Sequence, residues 1–91
     1  MQTIRETINE YREYYIQKLE GDFSSEIKTN WNNIFDNVIA EFECYADDEA
    51  SADENGNTIQ TNYEQGNFDE IDIRNSFDNF IMFIDIEQYD F

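Results

Sequence analysis

The sequence predicts an α+β fold with two N-terminal helices, a small antiparallel sheet of two or three strands and a C-terminal helix. Three observations carry that expectation. Apolar residues recur at steps of three and four through the first half of the chain. Between residues 58 and 73 they alternate with polar ones. Proline is absent, and the three glycines fall where turns are expected. At 91 residues the chain is long enough for one domain, 1–91, with one modest core. Its 40% apolar and 16% aromatic content is too rich for a disordered chain.

Thr3-Ile4-Arg5-Glu6 has capping-box spacing, with Thr at the cap and Glu three residues later. Ile4, Ile8, Tyr11, Tyr15 and Leu19 then define an amphipathic helix over about residues 4–20, ending near Gly21. Its other face carries Arg5, Glu6, Glu10, Arg12, Glu13 and Lys18. Ser24 or Ser25 can cap a second helix over about 25–42, striped by Ile27, Trp31, Ile34, Phe35, Val38, Ile39 and Phe42. Phe42–Ala46 reads as the end of that helix or as a short strand.

Two strands follow in the pattern. Ile59, Thr61 and Tyr63 alternate with polar neighbours, Gln65-Gly66-Asn67 signals a turn, and Phe68–Ile73 alternates again. A three-residue loop puts Tyr63 opposite Ile71 and Thr61 opposite Ile73, so the apolar side chains share a face. That register also opposes Glu64 to Glu70 and Asn62 to Asp72, an unfavourable charge pairing. Asn75 or Ser76 can cap the last helix, with Phe77, Phe80, Ile81 and Ile84 as its stripe. Phe83–Glu87 reads equally as a strand. The expected core comprises Ile8, Tyr15, Trp31, Ile34, Phe35, Val38, Ile73, Phe77, Phe80 and Ile81.

Charge narrows the function more than any motif does. Twenty-two acids face five bases, a formal net charge of −17. Residues 1–40 hold seven acids and four bases, whereas residues 41–91 hold fifteen acids and Arg74 alone. Such a field repels nucleic acid and anionic lipid and draws in basic partners. It exceeds the net charge of about 2–8 that keeps a small domain soluble, although halophilic adaptation is another reason for it. The longest apolar run, Phe80–Ile84, falls short of the roughly 20 residues of a membrane span. The first residues lack the basic and apolar regions of a signal peptide. A cytoplasmic protein is expected, within a host cell if a phage encodes it.

No constellation for catalysis is evident. There is no His, which removes the commonest general base and most zinc sites. Cys44 is alone, so no internal disulfide forms. The stretch DDEASADENGN, residues 47–57, looks like a calcium loop. With Gly56 at loop position six, however, Ser51 and Asn62 occupy the first and twelfth positions, where Asp and a bidentate Glu belong. A solvated acidic loop with an Asn-Gly turn is the plainer reading. No cofactor, no metal and no enzymatic activity are expected.

The acids left over form the candidate binding surface: Asp47, Asp48, Glu49, Asp53, Glu54, Glu64, Asp69, Glu70, Asp72, Asp78 and Asp85. Carboxylates two apart on a strand lie about 6–7 Å apart, and three or four apart on a helix about 5–6 Å. Both spacings approach that of neighbouring phosphates. In this type of charge layout, over roughly residues 41–91, the chain resembles the small acidic DNA-mimic inhibitors of phages and mobile elements, the anti-CRISPR and anti-restriction proteins. The resemblance implies stoichiometric blocking of a basic nucleic-acid-binding protein, a CRISPR effector or a restriction enzyme, by a monomer or homodimer. The competing class is an immunity protein or antitoxin that caps a basic nuclease toxin. A scaffold protein with an incidental charge is a third.

Overall fold

The computed structural model describes residues 2–23 and 30–89. Its α-helices are α1 (Ile4–Asn9), α2 (Arg12–Asp22), α3 (Trp31–Ala46), α4 (Ile59–Glu64) and α5 (Glu70–Phe83). Short 3-10 turns occupy Glu49–Ser51 and Ile86–Tyr89. Among the described residues there is no strand, so the expected α+β fold with its small antiparallel sheet gives way to an all-helical one.

Helix α3 lies at the centre and packs against α1, α2, α5 and both 3-10 turns. Ile34, Phe35, Val38, Ile39, Phe42 and Ala46 recur with helical spacing and are fully buried. The helix starts later than expected, at Trp31, where the Asn30 side chain accepts from the Asn32 backbone N–H at 3.1 Å. The proposed caps Ser24 and Ser25, and Ile27, lie outside the described residues. Phe42–Ala46 resolves as helix.

Four rings lock α2, α3 and α5 together. Phe77 meets Tyr15, Phe35 and Phe42 edge-on, with centroids 4.8, 5.8 and 5.1 Å away. Such contacts contribute about 0.5–1.5 kcal/mol each beyond the area they bury. The Tyr15 hydroxyl donates to the Arg74 carbonyl at 3.4 Å, so the cluster's polar atom has a partner. Burial raises the pKa of that phenol. Eight of the ten expected core residues are buried, while Trp31 and Phe80 pack against the core half-buried.

The N-terminal helix is broken. The Thr3–Glu6 capping box forms as expected, but Glu10 and Tyr11 interrupt the helix, and Tyr11 adopts φ −115°, ψ 23°. Tyr11 consequently leaves the core face and is 37% exposed, while Tyr15 and Leu19 remain buried. No glycine or proline marks the break. The Tyr11 ring instead carries the Arg74 guanidinium 3.5 Å from its centroid, a cation–π contact between this corner and α5.

The hairpin fails for a physical reason. Residues 59 and 63 share a face in either a strand or a helix, so Ile59 and Tyr63 do not distinguish the two periods. What decides is Asn62, which is buried beside them at helical spacing. The Thr58 hydroxyl caps α4 by accepting from the Thr61 N–H at 3.1 Å. Similarly, Ile73, Phe77 and Ile81 form one buried stripe running unbroken through α5. That helix begins at Glu70, so Asn75 and Ser76 are interior rather than capping residues. The opposed Glu64–Glu70 and Asn62–Asp72 pairs therefore do not exist. At the C-terminal end α5 stops at Phe83, and Ile86 and Tyr89 in the 3-10 turn are buried; residues 90 and 91 lie outside the described part.

Because Phe77 joins three helices, Phe77→Ala should lower stability by about 3–5 kcal/mol. Phe80→Ala, at a half-buried site, should lower it less. Guanidinium unfolding followed by far-UV circular dichroism checks both, and equal losses would refute the central role of Phe77.

Candidate partner-binding surface

The acidic loop is built by its own side chains. Asp48 Oδ1 accepts from the Ala50 N–H at 2.8 Å and caps the Glu49–Ser51 turn. Ser51 Oγ accepts from the Ile59 N–H at 3.3 Å and lies within donating reach of the Ala46 and Asp48 carbonyls, at 3.2 and 2.9 Å. One hydroxyl thus ties the end of α3 to the start of α4. Asp53 Oδ1 accepts from the Asn55 and Asn57 backbone N–H groups, at 2.9 and 3.0 Å. Gly56 supplies the turn with φ +82°, where a side chain would be strained.

Asp53 Oδ2 accepts from the buried Asn62 amide at 3.1 Å. Both Asp53 oxygens therefore have hydrogen-bond partners in the loop itself. Among the described residues, no group of three or more His, Cys, Asp or Glu is arranged to hold a metal ion. The calcium-like spelling is that of an Asp-capped turn.

Asn62 also governs the following loop. Its carbonyl accepts from the Asn67 and Phe68 N–H groups at 2.8 and 3.1 Å, and its side-chain oxygen from the Asn67 amide at 3.3 Å. The loops on both sides of α4 are thus held by one buried residue. The second loop leads into a capping box, in which Asp69 accepts from the Asp72 N–H at 2.9 Å and Asp72 from the Asp69 N–H at 3.0 Å. Asp69, Glu70 and Asp72 sit at the N-terminal turn of α5, where the helix dipole favours negative charge. Glu64 accepts from the Gln60 amide at 2.8 Å.

The bases are engaged mostly by other acids. Arg5 pairs with Glu43, Arg12 with Asp36 at 2.6 Å, and Lys18 lies 4.0 Å from both Asp22 and Asp78. Of the expected surface acids, Asp78 is therefore partly neutralised and half-buried. Asp85 is exposed at the opposite end of α5. The remaining nine run from Asp47 to Asp72, and no salt bridge among the described residues reaches any of them. All nine are exposed except the half-buried Asp72. They lie on loops 47–57 and 65–69, which Asn62 connects, at the last residue of α4 and in the first turn of α5.

Sequence reasoning missed Asn62, whose signal is a polar residue between two apolar ones at helical spacing. It also missed the caps at Asp48, Asp53 and Asp69, because these acids were counted only as charge. No protein-family model, no curated protein and no solved structure matches the chain.

Asp53 gives a pH test. The Asn62 side-chain hydrogen bond, followed by the Asn57 and Asn55 N–H groups, holds its pKa below the ordinary carboxylate value. Its stabilising contribution is therefore full above about pH 4 and is lost as pH falls through the lower folded value. Asp53→Asn should reduce the melting temperature at pH 7 and shrink the further loss between pH 4 and 2. Thermal unfolding across that range checks this, and identical pH profiles for the two proteins would show that the Asp53 hydrogen bonds contribute nothing.

Proposed function

We propose that this protein is a stoichiometric inhibitor that occupies the nucleic-acid groove of a basic effector, with a CRISPR effector as the first target class and a restriction enzyme as the second. It carries no chemistry of its own in this reading and acts in the cytoplasm. The observation that carries it is the run of nine carboxylates from Asp47 to Asp72 without a salt bridge among the described residues, while Arg5, Arg12 and Lys18 pair with acids elsewhere and Arg74 lies over the Tyr11 ring.

Charge supports the reading: a formal −17 on 91 residues is the sign of field that a groove built for phosphates attracts. Preorganisation supports it too. Asp48, Asp53, Asp69 and Asp72 are each held by hydrogen bonds to the backbone. Their side chains lose less freedom on binding than free surface acids would. The hairpin spacing no longer applies, so the relevant carboxylate separations are those of caps and helix turns. No described helix is long and apolar enough to cross a membrane.

An immunity protein or antitoxin that caps a basic nuclease toxin is the second reading. It is favoured by Phe83, 87% exposed beside a 56% exposed Met82, since such interfaces concentrate their energy in a few apolar anchors.

The charge reading makes a specific demand. Glu49, Glu54, Glu64 and Glu70 are exposed and cap no helix. Changing all four to Gln should alter the melting temperature little, because relief of repulsion offsets the helix-dipole contribution lost at Glu70. Affinity for an effector captured from nuclease-bearing cell extract should fall at least tenfold, about 1.4 kcal/mol. Binding by the wild type should also weaken steeply with salt, because screening acts on exposed charges over about 8–10 Å. Undiminished affinity in the variant, or binding indifferent to salt, would remove the electrostatic basis of the proposal.

A further inference from the structure

Helix α5 carries apolar side chains beyond its fully buried stripe, with Phe80 half-buried against the core and Phe83 exposed. Ile73, Phe77 and Ile81 point inward and are fully buried. Ser76, Asn79, Phe80 and Phe83 follow at the i, i+3, i+4, i+7 spacing of a second helical face. That face borders a groove of about 380 Å³, whose apolar walls are Tyr45, Ile59, Phe80, Phe83 and Ile84. Phe83 is 87% exposed at its edge, an unusual position for so large an apolar side chain. A concave apolar surface with a polar border has the character of an interaction site.

The surroundings specify the occupant. Tyr45 and Phe80 also line the adjoining hollow, which contains Glu41 and Cys44. Cys44 in turn lines a third hollow with Glu43, Asp47 and Asp48. Glu41 therefore adjoins the apolar groove through the hollow that shares Tyr45 and Phe80, and Asp47 and Asp48 line the next hollow beyond it. The described base among these linings is Arg5, and it pairs with Glu43. A second copy would bring another −17 to the same place, so charge opposes self-association and favours a positively charged ligand.

We propose that this groove receives a large apolar side chain from a basic protein partner, one flanked by Lys or Arg residues that meet Glu41, Asp47 and Asp48. The inference takes its basic partner from the proposed function and adds an apolar anchor beside the electrostatic contact. The anchor supplies the short-range fit that charge alone lacks, since fully desolvated apolar contacts at the centre of an interface dominate its energy while charges at the margin contribute less. It also predicts a part of the affinity that persists at high salt.

The test uses a random-peptide display library selected against the folded, full-length protein, with selected peptides then synthesised and measured by fluorescence anisotropy. Peptides with one large apolar residue flanked by Lys or Arg should be enriched. Their affinity should fall at least tenfold in Phe83→Ala and again in Glu41→Gln combined with Asp48→Asn. Phe83 is exposed, so its substitution should leave the melting temperature in place, and unchanged thermal unfolding confirms that loss of binding is not loss of fold. Selected peptides without an apolar residue, or affinity unchanged in Phe83→Ala, would overturn the inference. So would failure of any peptide to enrich, or concentration-dependent dimerisation abolished by Phe83→Ala, which would assign the groove to a second copy. The readout is independent of nucleic-acid competition. Peptides that bind the groove while the captured partner still holds its DNA would defeat the mimic reading and leave this one standing.

Discussion

The Phe77 ring is the contact on which the rest of the molecule depends. It is the point at which Tyr15 from α2 and Phe35 and Phe42 from α3 converge on α5. The constraint it answers is electrostatic. A formal charge of −17 on 91 residues opposes compaction. Two exposed carboxylates 6 Å apart repel by roughly 0.7 kcal/mol in water before screening. Many such terms accumulate, while each edge-to-face contact returns about 0.5–1.5 kcal/mol in addition to the area buried. The aromatic cluster is therefore the natural way for a small core to hold a strongly charged surface.

Local structure reduces the repulsion further. Side chains cap α1, α3, α4 and α5, each cap contributing about 1 kcal/mol. Asp69, Glu70 and Asp72 lie at a helix N-terminus, where the dipole lowers the cost of negative charge. Asp48 and Asp53 bind backbone N–H groups of their own loop. The same hydrogen bonds that make these acids tolerable also fix their positions. A surface that has to present carboxylates in a set arrangement gains from that rigidity, which links the stability of the loops to the proposed inhibition.

Long elements were legible in the sequence and short ones were not. The stripe from Trp31 to Phe42 has too many periods to be anything but helical, and α3 follows it. The Thr3–Glu6 box was legible because its chemistry is local. Residues 58–73 misled because Ile59 and Tyr63 are four apart, a separation that fits both periods. The Asp69–Asp72 box was visible in the sequence but was overlooked as surface charge. Nothing marked the break at Tyr11, whose ring meets Arg74, a residue far along the chain. For the candidate surface, the acidic half was legible in the sequence but its internal division was not. The sequence did not separate Asp78, shared with Lys18, from the nine acids without a salt bridge among the described residues, nor did it reveal the groove beside Phe83.

The central claim is that this protein and nucleic acid compete for one groove. The most direct measurement titrates the protein into a captured effector already holding a fluorescent duplex or guide, at fixed ionic strength, and follows both ligands at once. The account predicts mutually exclusive binding, with the duplex released as one molecule of this protein is taken up. A stable ternary complex, in which the effector retains its full complement of nucleic acid, would contradict it.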